Sequence, residues 1–199
     1  NYYPGEAIFA LVRLYQQTGS VKCLRGAEKA ARYLITDRDA DVPREQLPAD
    51  HWFLYALNEL HRVNADTAYL RHARKLAGAI VARQTRSAAQ PDWTGSYYRP
   101  PRSAPTATRT EGLLAACALE RRHAGKTTDR ARKILTAARL GARFGMCTQI
   151  LPESAMYFPN PERSLGGFRF SLRDNRVRID VVQHNISALL ALRRSLVAP

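Results

Sequence analysis

The stretch 178-RIDVVQHN-185 ends an extended apolar run with Gln183, His184 and Asn185, just where a helix from Ile186 to Leu196 is expected to begin. An imidazole there can give or take a proton near neutral pH. Glu6 and Glu111 add carboxylates, and Tyr97 and Tyr98 add phenols. Two carboxylates facing each other across ~6.5–9.5 Å would suit hydrolysis of a glycosidic bond with inversion. A histidine or tyrosine could instead abstract a proton next to a carboxylate, as epimerisation and elimination require. Trp52 and Trp93 offer flat faces, and Arg99, Arg102, Arg109 and Arg178 offer forks for carboxylate or sulfate, with Asp180 beside the last of them. These twelve residues are the candidate catalytic and substrate-binding set.

Each has a plainer explanation. Glu6 and Glu111 suit the positive end of a helix dipole in a first turn. His184 also fits a core histidine bonded to a backbone carbonyl. Tyr97, Tyr98 and Trp93 also fit anchors of a long loop, and Asp50 is an N-cap. Arg71, Arg74, Arg83, Arg86, Arg121, Arg122 and Arg132 read as solvated outer faces. The functional reading rests on convergence of the set, because no single residue carries it.

The elements that must position these residues are helices. Apolar residues recur with a period near 3.6 over most of the chain. The first helix runs from Pro4 to about Gln17 and is broken by Thr18-Gly19-Ser20; a second follows over Val21 to Leu34. Asp50 opens a third, through about Arg62, and Asp66 a fourth, through about Arg83. Sliding the first pair onto the second puts Leu11 on Leu57, Leu14 on Leu60, Leu24 on Leu70 and Ala27 on Ala73. A third copy is expected from Thr110 to about Phe144, and a half unit from Ile186 to Leu196. This is internal repetition of helical hairpins.

The fold class is therefore mainly all-α, a single helical-hairpin domain over residues 1–199. The connections Thr36–Ala49, Arg86–Thr108 and Cys147–Gln183 are long, as loops that carry function are, and favour an α/α toroid over an open solenoid. The last one alternates over Gly166–Leu172 and Val177–Val181 around Arg173-Asp174-Asn175, which reads as a small β-hairpin or an irregular loop. In a hairpin stack the odd helices start at one rim. The repeat sets Glu6, Trp52, Glu111 and His184 at equivalent first-turn positions there.

Composition narrows the partners. The net charge of +14 suits a solvated basic surface or an acidic glycan, and no nucleic-acid module is visible. No run reaches the length of a membrane span. Cys23, Cys117 and Cys147 fit no CxxC or zinc spacing, so no metal and no cofactor is expected, and the compartment stays open. The chain begins at the edge of a helical pattern and reads as part of a longer polypeptide. It is expected to pair with another part of that polypeptide or a second subunit.

The segments 4-PGEAIFALVRLYQQTG-19, 51-HWFLYALNELHRV-63 and 95-GSYYRPP-101 resemble the α/α-toroid carbohydrate-active enzymes. The first and third are similar to the C-terminal helical domain of D-glucuronyl C5-epimerases. The resemblance implies a uronic-acid polymer as substrate and tyrosines among the proton-transfer groups, with Tyr97 and Tyr98 at the matching positions. A toroid has six hairpins and this chain shows three and a half; the β-rich domain of that family is absent. The expected function is a polysaccharide-modifying enzyme of epimerase, lyase or hydrolase type acting on an acidic glycan. The alternative is a helical-repeat scaffold that binds a protein partner.

Overall fold

A computed structural model describes residues 3–87 and 89–197. The chain is mainly helical. Its order is α1 (Tyr3–Thr18), α2 (Val21–Tyr33), a π-turn (Leu34–Arg38), α3 (His51–Val63), α4 (Thr67–Ala82), α5 (Ser103–Ala124), α6 (Asp129–Cys147), two single turns α7 (Pro152–Ala155) and α8 (Pro161–Ser164), and α9 (Ile179–Val197). Two compact units result, one of Asn1–Arg83 with Gly112–Leu135, the other of Gln84–Glu111 with Thr136–Pro199.

In the first unit the chain stops and restarts its helices with local chemistry. Gly19 takes a left-handed φ of 70° after α1, and its N–H donates to Tyr15 O at 2.8 Å. Asp50 accepts from Phe53 N at 2.9 Å, and Asp66 accepts from Ala68 N at 2.8 Å, so both aspartates cap as their positions predict.

The odd helices of this unit run parallel and in the register of the repeat. A Cβ on Gly5 would lie 2.6 Å from Phe53 N, so the starts of α1 and α3 touch. Phe9 and Tyr55, offset by the repeat spacing, have ring centroids 5.4 Å apart, and Gln16 Nε2 donates to Glu59 at 2.8 Å near the far ends. Farther on, Gly112 packs on His51, and Arg122 Nη2 donates to Asn58 Oδ1 at 2.7 Å, so the later half of α5 runs alongside α3. α2 and α4 return antiparallel. Phe53, Leu54, Leu57, Leu60, Leu76 and Ile80 are fully buried between these helices. Each contributes about 1.5–3 kcal/mol by leaving water.

One buried charge network ties the π-turn to this core. Arg38 donates to both oxygens of Asp39 (2.7 and 2.8 Å) and to Asp50 Oδ2 (3.2 Å), and His72 Nε2 lies 2.9 Å from Asp39 Oδ2.

In the second unit, glycines let backbones meet. Gly95 has φ 95°, and a Cβ there would fall 2.0 Å from Leu140 O. On α6, Gly141 receives Thr110 of α5, and Gly145, one turn on, receives Asn185 of α9. Gln84 Nε2 bridges Gly95 O (3.0 Å) and Ala137 O (2.8 Å), which holds the start of the Tyr-rich loop against α6.

Three expectations are corrected. α5 begins at Ser103 rather than Thr110, so the connection is shorter and Arg109 and Glu111 lie inside the helix, not before it or in its first turn. Thr106 Oγ1 and Thr110 Oγ1 each back-bond to the carbonyl four residues earlier, which accommodates threonines in a helix (2.9 Å for each). α9 begins at Ile179 rather than Ile186, so His184 sits in its second turn, Arg178 precedes it and Asp180 is in its first turn. The expected hairpin is reduced to isolated pairings among the described residues, with Arg169 opposite Val177 and Phe170 N donating to Arg176 O at 2.9 Å. Its second half has become the start of α9.

Candidate functional site

Glu111 is the most buried of the candidate groups, only 2% exposed on the inner face of α5. Its Oε2 lies 3.2 Å from Nδ1 of His184, which keeps 17% of its side chain exposed. Ser187, one turn after His184 on α9, lies close enough to Glu111 to favour its ionised form. Burial pushes the Glu111 carboxyl above the usual carboxylate range, and His184 and Ser187 only partly oppose it. The pair is therefore a buried carboxyl beside a partly exposed imidazole, two groups that can share a proton. A carboxylate oxygen and an imidazole nitrogen are also donor types of a divalent cation site, here at hydrogen-bond separation.

The position of α9 is set by the neighbour of His184. Asn185 lies buried inside α9: its Nδ2 donates to Ser103 Oγ and to Val181 O, both at 2.8 Å, with its side chain against Gly145. Ser103 Oγ in turn lies 3.0 Å from Thr148 Oγ1, which donates to Gly145 O at 2.7 Å. This buried polar chain joins α5, α6 and α9 one residue away from the imidazole.

A second cluster gathers at the start of α5. Arg109 Nη2 donates to Tyr98 Oη at 2.9 Å and Nη1 to Pro105 O at 2.7 Å. The Arg109 guanidinium lies 4.9 Å from the Tyr98 ring centroid and 5.1 Å from that of Tyr97, while Arg102 lies 4.7 Å from Tyr98. Tyr97, Tyr98, Arg102 and Arg109 are thus brought together as expected, in a stack of alternating cations and rings.

The remaining candidates have other settings. Arg178 and Asp180 bind each other (3.0 and 3.1 Å) at the surface, with Arg178 over Phe170. Trp93 is half-buried in the short turn Pro91–Trp93, where its carbonyl accepts from Ser96 Oγ at 2.6 Å, and Arg99 is exposed. In the first unit Glu6 is exposed in the first turn of α1, and Trp52 is half-buried among Phe9, His51 and Tyr55.

Two groups were missed in the sequence. Ser187 was legible only as the residue three after His184 on one helix face. Arg71 and Arg74 read in the sequence as solvated outer faces, but Arg74 grips Glu120 with two bonds (2.7 and 2.9 Å), and Arg71, Arg74 and Lys75 line a groove.

No protein-family model, no curated protein and no solved structure matches the chain.

Proposed function

We propose that the chain is a polysaccharide-modifying enzyme, or the helical part of one, acting on an acidic, uronic-type glycan by proton transfer through Glu111 and His184. The observation that carries this reading is the 3.2 Å contact between a buried carboxyl and a partly exposed imidazole. With Glu111 ionised, Nδ1–H of His184 donates to it and the lone pair resides on Nε2, the tautomer of a general base. That nitrogen takes the proton from the carbon next to the uronate carboxylate, and Glu111 stabilises the resulting imidazolium. Arg102 and Arg109 supply forks for the substrate carboxylate, with Tyr97 and Tyr98 as ring platforms and, by the resemblance to C5-epimerases, as second proton-transfer groups.

Proton transfer is favoured over inverting hydrolysis because Glu111 contacts an imidazole rather than facing a second carboxylate across the gap that an attacking water needs. The helical-repeat scaffold remains the alternative, on the regular register of α1, α3 and α5 in the first unit.

The test is turnover of uronic-acid oligosaccharides by the chain and by His184→Ala and Glu111→Gln. Loss of turnover in both variants with retained helicity supports the reading. Unchanged turnover in both removes it, and absence of glycan binding with tight binding of a protein favours the scaffold.

A further inference from the structure

The first unit carries a groove of about 560 Å³ lined by Arg44, Arg71, Arg74, Lys75, Arg130 and Lys133. Val81 and Ile134 add apolar lining, and among the described residues none that lines it is acidic. The volume falls in the range of small-molecule sites.

The pairing of these cations makes the groove unusual. Among the described residues, Arg74 alone of the lining cations is compensated at close range, by the two-point bond to Glu120, which is 4% exposed and also accepts from Thr128 at 3.4 Å. Arg130 feels Glu120 at longer range, and Lys133 feels Asp129, which is itself bound by Arg132. The others spend their hydrogen bonds on neutral groups. Arg44 Nη2 donates to Gly78 O at 2.7 Å, Lys75 Nζ to Asp39 O at 2.6 Å and Ala40 O at 3.3 Å, and Arg71 Nη1 to Thr67 Oγ1 at 2.9 Å. Such bonds fix the side chains in place without neutralising them. Gly78 is part of this: a Cβ there would fall 2.7 Å from Arg44 Nη2, so its absence admits the guanidinium onto α4. The result is a concavity ringed by cations, of which Arg44, Arg71 and Lys75 are anchored by neutral groups and Arg130 and Lys133 are exposed, the arrangement of an anion site.

The lining also discriminates among anions. Sugars and bases call for hydrogen-bond acceptors and aromatic platforms, and these side chains supply neither. A groove of donors alone reads anionic oxygens alone, and guanidinium forks match tetrahedral oxyanions. We infer that this groove binds a linear, phosphate-dense anion of the tripolyphosphate type, spanned between Arg44, Arg71 and Lys75 on one side and Arg130 and Lys133 on the other. This site is independent of the proposed glycan chemistry and stands or falls without it.

Calorimetric titration of the full chain with inorganic tripolyphosphate, at fixed ionic strength, tests it. The double variant Arg130→Glu/Lys133→Glu, altered at two exposed positions, is expected to bind at least tenfold more weakly. The equally charge-changed Arg25→Glu/Lys29→Glu, on α2, and His184→Ala are expected to bind as the parent does. Equal binding by parent and groove variant overturns the proposal. So does equal weakening by the α2 variant, which would mark net charge as the cause. Tighter groove-dependent binding of a sulfated or uronic oligosaccharide, or of duplex DNA, than of tripolyphosphate at matched charge overturns the assignment to phosphate.

Discussion

His184 and Glu111, which the internal repeat sets at equivalent positions of successive units, are in direct contact, Nδ1 to Oε2 at 3.2 Å. Neither stands at a helix start. The helix boundaries around them lie several residues earlier than the pattern suggests.

Replacing Glu111 with Gln should separate chemistry from folding. The isostere keeps a hydrogen bond to the imidazole and removes a carboxylate that burial disfavours. Thermal unfolding is expected within a few degrees of the parent, about 1 kcal/mol or less, while turnover falls by about 10²-fold or more. A variant that unfolds early would mark Glu111 as structural.

Asn185→Ala should act on position rather than chemistry. It leaves Ser103 and Thr148 in a buried chain without their third member, at a cost of about 1–3 kcal/mol in denaturant unfolding. An effect under about 0.5 kcal/mol would mean that the polar chain does not hold α9 against α5 and α6.

Asp39 gives the first unit a pH signature. Burial would raise its carboxyl, but bonds from His72 and Arg38 overcome this and hold it at about 2, against 3.8 for an unperturbed aspartate. The folded value is depressed, so the stabilisation, about 2 kcal/mol, is fully present above the unfolded pKa and fades as pH falls from about 4 toward about 2. Asp39→Asn should therefore be destabilised at neutral pH, and its deficit relative to the parent should shrink across that acidic window. A pH-independent deficit in urea titrations would contradict the assignment.

Comparing Gly95, in the second unit, with Gly125, in the first, tests how the Tyr-rich loop packs. Gly95 and Gly125 both have positive φ, so alanine costs about 1 kcal/mol at either from the backbone alone. At Gly95 the new Cβ also meets Leu140 O at 2.0 Å, whereas nothing lies within 4 Å at Gly125. Gly95→Ala should lose about 2 kcal/mol more than Gly125→Ala, read from their thermal midpoints. Equal losses would place the Tyr-rich loop away from α6.

What the sequence makes legible follows from where local chemistry decides structure. Asp50, Asp66 and Gly19 punctuate α1 to α4 with side chains and a φ that act within three residues, so those helices read correctly to within one or two positions. The start of α5 has no such mark. Ser103 to Thr110 is rich in threonine with a proline in the first turn; its threonine hydroxyls are accommodated by back-bonding, and the long-range Ser103–Asn185 contact ties its start to α9. α9 likewise starts on Ile179, 86% exposed, with no apolar face yet to signal a helix. Arg44 reaches the basic groove from a separate turn, 34 residues before Gly78, a juxtaposition no periodicity can show. Tyr98 and Arg109 were legible as a cluster because only eleven residues separate them.

The central claim is proton transfer by Glu111 and His184 on a uronic glycan, and its most direct test is proton NMR of uronic-acid oligosaccharides incubated with the chain in D₂O. The expected result is deuterium at the carbon bearing the carboxylate, or a new double bond beside it, formed by the parent and lost in both His184→Ala and Glu111→Gln. No exchange or elimination with the parent, or the same rate in folded variants, would contradict the claim.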